Sequence, residues 1–487
     1  MKTNRREFLS NAAWTGLFVA AAGCSSARLG LGAGAGAPMQ GFRAPKLKRV
    51  RVAVVGLGAR GTWAAQRLNG VPGVDVVAVA EISQEKIDAY AKWCRENRRP
   101  EPKKSYLGPD AWRDLCQNSE IDAVYNCTPW ELHAPIARES MLCGKHAFVE
   151  VPGCVTVDEA WDLVETSEKT KFNCMMLENC CYGEAELLAL SMCRQGLFGD
   201  LSYGEGAYIH DLRGLYKGAS GCEKWRKFEN DVHKGNRYPT HGLGPVCQYL
   251  GVNRGDRFDY LTSLECDARA TVAFARTLGK EERVAMGDMN VTMIRTALGR
   301  SIMVQHDVAS PRSYSRINRI VGTKGCFEGI QFPDPKGEDA YSDPVRSGCY
   351  CRFGWEDKPG AGVHSYFDAK KVEEMRRKYM HPLFRTAGEI AKKVGGHGGM
   401  DYLMDLRWAY CLQNGEPLDQ NVYDLAAWSS LCELTEKSVR AGSKPVDAPD
   451  FTRGAWKNTE PLGLVDMDMS KLEFDTSAAE KGTGMTV

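Results

Sequence analysis

From Lys48 to about Leu177 the chain alternates short apolar runs with amphipathic stretches. Continuous runs rich in β-branched residues, at Val50 to Val55, Val74 to Ala80, Ile121 to Cys127, His146 to Val149 and Phe172 to Leu177, predict strands buried on both faces. Helical periodicity fills the gaps over Gly61 to Leu68, Gln84 to Glu96, Ala134 to Cys143 and Val157 to Lys169. Strand and helix in alternation give a parallel sheet covered on both faces, with its site at the carboxyl ends of the strands. Those ends carry Gly56, Glu81, Cys127-Thr128-Pro129, Glu150-Val151-Pro152 and Glu178-Asn179. After Leu177 the pattern changes. Glycine-bounded runs at Tyr203 to Tyr208, Leu261 to Ala270, Met289 to Thr296 and Ile302 to Asp307 predict a second, α+β part built on a large open sheet, mixed or antiparallel. The tail from Asp447 is polar and irregular, and no internal repeat is present.

The first strand breaks into G-L-G-A-R-G, residues 56 to 61. Gly56 permits the tight turn. Gly58, without a Cβ, lets a pyrophosphate approach the backbone. Gly61 lets the next helix pack close, with its N-terminal N–H groups facing phosphate. Glu81 ends the second strand 20 residues after Gly61. A carboxylate there accepts from ribose hydroxyls and repels a 2′-phosphate, which favours NAD over NADP; the alternative is that Glu81 only caps the next helix. The expected fold class is α/β, a Rossmann dinucleotide-binding domain over 48–177 followed by the α+β domain over 178–487.

The 487 residues are enough for two or three domains. A net charge of +1, from 63 basic and 62 acidic residues, gives no reason to expect nucleic acid or an anionic membrane surface as a partner. The N-terminus reads as an export signal over 1–24. Asn4-Arg5-Arg6-Glu7-Phe8-Leu9 resembles the twin-arginine pattern, and the weakly apolar run Ala12 to Ala22 is too short to span a bilayer. Ala21-Ala22-Gly23-Cys24 resembles a lipoprotein box, although Ala21 stands where a large aliphatic residue is usual. Lipidation of Cys24 and ordinary cleavage both stay open, so the expected location is periplasmic or membrane-anchored. Residues 25–47 read as a flexible linker. The 18 cysteines sit singly in apolar segments or, at Cys180-Cys181, adjacent. This is the pattern of buried small hydrophobes, not of a disulfide framework. Neither C-x-x-C nor H-E-x-x-H occurs, and no metal site is expected.

G-L-G-A-R-G, C-T-P-W-E-L-H and E-V-P, in that order, resemble the glucose–fructose oxidoreductase and inositol dehydrogenase superfamily. There the third motif is usually Glu-Lys-Pro, and its lysine is the acid/base; here the position is Val151. Further motifs are M-M-L-E-N-C-C-Y, Y-I-H-D-L-R, W-R, Y-P-T-H-G-L-G-P-V, R-S-Y-S-R and G-G-H-G-G-M-D. They look like glycoside hydrolase family 109, which contains NAD-dependent α-N-acetylgalactosaminidases. The resemblance covers nearly everything after the leader and implies a carbohydrate substrate with a terminal α-linked N-acetylgalactosamine. It also implies that NAD takes hydride from carbon 3 of the sugar, a base removes the acidified proton at carbon 2, the group on carbon 1 is eliminated, water adds, and the hydride returns. Such a cycle needs no carboxylate pair. Export in the folded state fits NAD that is held tightly and regenerated in each turnover.

His241, in the turn Tyr238-Pro239-Thr240-His241-Gly242, and Tyr182 are the two candidates for the carbon 2 base, the alternatives being a structural histidine and a core tyrosine. Arg226 is expected to fork onto sugar hydroxyls or an amide oxygen, or else to form a surface ion pair. Tyr208 and Tyr314 resemble sugar-contacting positions of the family, alongside Tyr238, Pro239, Thr240 and His241; packing is the alternative for each tyrosine. His210 and Asp211 are expected at most to orient neighbours, and His397 and Asp401 receive no role. For the cofactor, Gly56, Gly58, Arg60 and Gly61 are placed at the pyrophosphate and Glu81 at the adenine-side ribose. Trp130, Glu131, Leu132 and His133 are placed to border the adenine-side ribose or the nicotinamide strand ends, and Glu150, Val151 and Asn179 to face the nicotinamide ribose; the alternative for Glu150 is that it only caps the chain as it leaves the strand. Two other functions remain: an exported sugar oxidoreductase with trapped NAD, and a non-catalytic sugar-binding lipoprotein. The oligomeric state is open, a homo-oligomer included.

Overall fold

The computed structural model describes residues 38–217, 221–280, 284–330, 350–357 and 365–472. The export signal with Cys24, residues 25–37 of the linker and the end of the tail lie outside the described residues. No described helix is long and apolar enough to cross a membrane.

Six strands form the first sheet: β1 (Val50–Val55), β2 (Val74–Glu81), β3 (Lys104–Leu107), β4 (Ala123–Asn126), β5 (His146–Val149) and β6 (Cys174–Met176). Their order is β3-β2-β1-β4-β5-β6, with every pairing parallel. The crossovers carry α1 (Ala59–Leu68), α2 (Gln84–Glu96), α3 (Ala111–Gln117), α4 (His133–Leu142) and α5 (Val157–Thr170). The chain order reverses between β1 and β4, which opens a crevice at their carboxyl ends. β3 and α3 were not expected. In Lys-Ser-Tyr-Leu only Tyr106 is buried, so this edge strand has no apolar run to announce it.

The second sheet has eight strands, ordered β13-β12-β11-β7-β10-β9-β8-β14. They are β7 (Leu201–Ile209), β8 (Phe258–Glu265), β9 (Met289–Thr296), β10 (Ser301–Asp307), β11 (Arg319–Gly322), β12 (Gly325–Ile330), β13 (Tyr350–Trp355) and β14 (Val446–Asp447). All pairings are antiparallel except β7 with β10. The expected strand from Leu261 to Ala270 stops at Glu265. Beyond it a helix starts, because the Asp288 carboxylate accepts from the N–H groups of Arg269, Ala270 and Thr271 at 2.6–3.1 Å.

The other helices are α6 (Glu184–Arg194), α7 (Gly221–Val232), α8 (Thr240–Leu250), α9 (Arg269–Thr277), α10 (Ala369–Tyr379), α11 (Pro382–Val394), α12 (Met400–Asn414), α13 (Val422–Ser429) and α14 (Leu431–Arg440). α12 returns to the first sheet. Its Trp408 ring lies 4.3 Å from Phe148 of β5, and its Asp405 accepts from Arg67 of α1 at 2.7 Å. Fifteen described cysteines are free thiols, most of them buried, as the sequence suggested.

Candidate active site

The crevice at the ends of β1 and β4 has the form a dinucleotide needs. Gly56 has φ +87°, and a Cβ there would stand 2.9 Å from the Cys127 carbonyl oxygen. A Cβ on Gly61 would stand 1.8 Å from the Gly56 oxygen, so α1 closes directly onto the loop. At Gly58 a Cβ would meet nothing within 4 Å, which leaves the face over the N-terminus of α1 open to a phosphate. The Glu81 carboxylate, at the end of β2, accepts from the N–H groups of Leu57, Ile82 and Ser83. It is fixed beside the glycine loop, and the residues present fit NAD.

Arg60 turns its guanidinium toward two carboxylates, bonding Glu150 and Asp401 at 2.6 Å each. Asp401 is buried and also accepts from Asn179 at 2.6 Å and lies 2.9 Å from His397 Nδ1. Burial acts against its charge, but Arg60, His397 and Arg67 hold the carboxyl well below its usual range. The His397–Asp401 pair, left without a role by the sequence, thus ties the glycine loop to the β6 end. Val151 is buried between Glu150 and Pro152. His133 does not present its ring to the crevice edge as expected. Its Nδ1 and Nε2 lie 2.7 and 2.8 Å from the carbonyls of Pro152 and Thr128, so the ring braces two loops, and burial lowers its pKa. Glu131 is exposed and Leu132 half-buried.

On the other side of Glu178-Asn179 lies a group of rings. Tyr238 stands 4.7 Å from Tyr208, 4.9 Å from His241 and 5.8 Å from Trp130, centroid to centroid. Tyr314 meets Tyr208 at 6.1 Å. The Arg226 guanidinium lies 4.9 Å from the Tyr238 ring and 5.4 Å from Trp130. This is cation–π contact. Trp130 therefore borders the rings. His210 Nδ1 is 2.9 Å from the Tyr208 hydroxyl, while Asp211 pairs with Arg213. Two members were missed. His306 stacks on Tyr208 at 6.3 Å, and burial pushes its pKa down to about 4. Trp225 meets Trp130 edge-on at 5.0 Å.

His241 sits in the first turn of α8, behind Pro239 as N-cap. That helix lies flush on β7: a Cβ on Gly206 would fall 2.1 Å from the Gly242 oxygen, and one on Gly242 2.1 Å from the Ala207 nitrogen. His241 Nδ1 is 2.8 Å from Glu178 Oε1, and its Nε2 is 3.4 Å from the Tyr238 hydroxyl. Burial alone would push the Glu178 carboxyl up; the His241 charge and hydrogen bond, with Thr240 and the Cys180 N–H, bring it below its usual range. Thr240 is fully buried on the Glu178 side, which corrects its placement among the sugar contacts. Glu178, Cys180 and His241 place one donor atom each within 4.8 Å of one another. Within that trio Glu178 and His241 form a 2.8 Å hydrogen bond, and burial raises the Cys180 thiol far above its usual value.

Tyr182 stands elsewhere. It is buried, its hydroxyl donates to Asp419 at 3.3 Å, and Asp419 is in turn paired with Arg407. Burial and the Asp419 charge raise the phenol well above its ordinary value. The expected alternative base is thus a protonated donor to a carboxylate.

Comparisons with known proteins bear on both halves. The C-terminal domain of glycosyl hydrolase 109 matches residues 182–458, more than half of the chain. This chain belongs to glycosyl hydrolase family 109. The family 109 region follows residues 50–177, which match the NAD-binding Rossmann fold of an oxidoreductase family. The cofactor is NAD. The α-N-acetylgalactosaminidase of Shewanella oneidensis is 42% identical over 95% of this chain and 99% of its own length. That of Bacteroides fragilis is 43% identical over 86% and 95%. Among solved structures, scyllo-inositol dehydrogenase from Lactobacillus casei with bound NAD(H) and scyllo-inositol shares the fold. Its TM-score is 0.58 at 13% identity, over 82% of this chain and 99% of that one. A levoglucosan dehydrogenase complex with NADH and L-sorbose gives 0.61 at 18% identity, over 83% and 100%.

Proposed function

We propose that this family 109 protein releases terminal α-linked N-acetylgalactosamine, with His241 as the base at carbon 2. The named relatives carry that activity over nearly their whole length. The observation that carries the reading is the adjacency of Glu178 and Asn179. Asn179 bonds the Arg60–Asp401 group on the cofactor side, and Glu178 bonds His241 in the ring cluster.

Gly56, Gly58, Gly61 and the N-terminus of α1 would hold the pyrophosphate, Glu81 the adenine-side ribose, and Glu150 with Asn179 the nicotinamide ribose. Bound NAD supplies a reversible hydride acceptor for carbon 3, which makes that carbon a ketone and acidifies the hydrogen on carbon 2. His241 Nε2 takes that proton. The carbon 1–oxygen bond then breaks as the carbon 1–carbon 2 double bond forms, and the leaving oxygen collects a proton. Water adds at carbon 1 and supplies the proton that the leaving oxygen takes, a proton passes from His241 to carbon 2, and carbon 3 would regain its hydride from the cofactor and its hydroxyl proton, so the sugar leaves unoxidised. Val151 offers no proton where the wider superfamily has a lysine, so proton transfer falls to His241 and the neutral Tyr238 hydroxyl beside it. Arg226 and the faces of Trp130, Tyr208, Tyr238 and Tyr314 hold the sugar ring and its amide. The chain is exported by the twin-arginine route and stays in the periplasm or on a lipid anchor at Cys24, with NAD loaded beforehand.

The test is a chromogenic α-N-acetylgalactosaminide given to purified protein without added NAD. Aglycone and unoxidised N-acetylgalactosamine in equal amounts are expected. An oxidised sugar with the aglycone still attached would assign an oxidoreductase instead, and binding without turnover a sugar-binding protein.

A further inference from the structure

We propose that Glu178 is the positioning residue of His241: it keeps the imidazole proton on Nδ1 and so presents Nε2 to the sugar as the base. The proposal rests on the assignment of His241 as the carbon 2 base.

Glu178 lies two residues past the end of β6 and is 0% exposed. Its Oε1 faces His241 Nδ1 at 2.8 Å and accepts from the Cys180 N–H at 3.1 Å, while Oε2, enclosed beside the Thr240 hydroxyl, makes no well-formed hydrogen bond. Capping the short turn Asn179–Tyr182 does not account for such a group, since a neutral Ser or Asn caps as well. A carboxylate buried this fully is costly unless a charge forms beside it. His241 is where that charge forms, each time it takes the carbon 2 proton. The surroundings are shaped to this contact. A Cβ on Gly244, one turn along α8 from His241, would come 2.9 Å from Glu178 Cγ, so only glycine leaves room for the side chain. Gln420 Nε2 donates to the Glu178 carbonyl at 3.0 Å and fixes its backbone.

The chemistry follows. A carboxylate can only accept, so a neutral His241 must carry its hydrogen on Nδ1, and the Nε2 lone pair points away from Glu178. When Nε2 gains the carbon 2 proton, the imidazolium lies against a fixed negative charge in a dry setting. It then gives a proton, exchanged with solvent, back to carbon 2, and Glu178 stays ionised throughout.

Two measurements test this. Nitrogen-15 NMR of the histidine-labelled holoenzyme, with the His241 signal assigned by its loss in His241→Gln, should show neutral His241 as the Nδ1–H form. An Nε2–H form overturns the proposal and needs no Glu178 variant. The second is Glu178→Gln, which keeps an acceptor oxygen but removes the charge and permits the wrong tautomer. Its kcat should fall at least about 100-fold, the lower end of a positioned acid/base effect. KM and NAD content should stay close to wild type, and the pH–kcat profile should move. Unchanged kcat and profile overturn the proposal. If Glu178→Gln loses NAD or does not fold, the wild-type tautomer decides. If the wild type releases no aglycone, the glycosidase reading fails separately, because the tautomer is read without turnover.

Discussion

Gly206→Ala separates the geometry of His241 from the rest of the fold. In the wild type the Gly206 position faces the Gly242 carbonyl, and an added Cβ would lie 2.1 Å from that oxygen, against a practical limit of 3.0 Å. The strand is central, between β11 and β10, so the helix must yield, by roughly 0.9 Å. Gly242 adjoins His241, so the imidazole moves with it and the 2.8 Å bond to Glu178 opens. A displacement of about 1 Å at a reacting group costs up to about 100-fold in rate. Overpacking of this kind costs about 1–3 kcal/mol of stability. The expected result is a folded protein, stoichiometric NAD after denaturation and mass analysis, and kcat on an α-N-acetylgalactosaminide lowered between 10- and 100-fold on that basis. Gly463→Ala, where a Cβ meets nothing within 4 Å, serves as the neutral control. A Gly206→Ala enzyme with NAD bound and kcat within about threefold of wild type would refute the view that flush packing of α8 on β7 sets the base.

His241→Ala should lower turnover by about 100-fold or more while bound NAD is unchanged, and Arg226→Ala should mainly raise KM. In heavy water, deuterium should enter carbon 2 of the released sugar; product without label would exclude proton exchange at that carbon. Reducing the bound cofactor to NADH before substrate is added should abolish turnover, and full activity in that state would falsify the redox cycle. Stability should fall as pH drops from about 6.5 toward about 4. Burial holds His146, His306 and His381 each at about 4, so they stay neutral in the fold while the unfolded chain gains their protons. The loss by pH 5 is about 2 kcal/mol per histidine as an upper figure, read from urea midpoints at pH 7 and 5; equal midpoints would contradict it.

The parallel half was legible because its signals are local. The longest buried strands are apolar runs interrupted within by a single charged residue, Arg51 or Asp75, and the three glycines sit within six residues. The ring cluster was legible in part, through the Tyr-Pro-Thr-His-Gly turn. Glu178 was seen as a strand end but not as a partner, because His241 is 63 residues away and only the meeting of β6 with α8 joins them. The start of α9 was hidden likewise, since its capping carboxylate, Asp288, comes after the helix in sequence. Tyr182 reads from sequence like any tyrosine beside an active-site asparagine, and only the position of Asp419 turns it away.

The free thiols shape how this protein can be lost and recovered. In the folded state most are enclosed, and burial keeps Cys180, Cys181, Cys154 and Cys247 protonated, so they do not react. On unfolding all of them are uncovered at once, and their thiolates pair with whichever partner diffuses near. In an oxidising medium the unfolded chain is then crosslinked into forms that the native packing has no place for. Denaturation becomes a one-way exit set by the rate of unfolding, while under a reducing agent the same chain can come back.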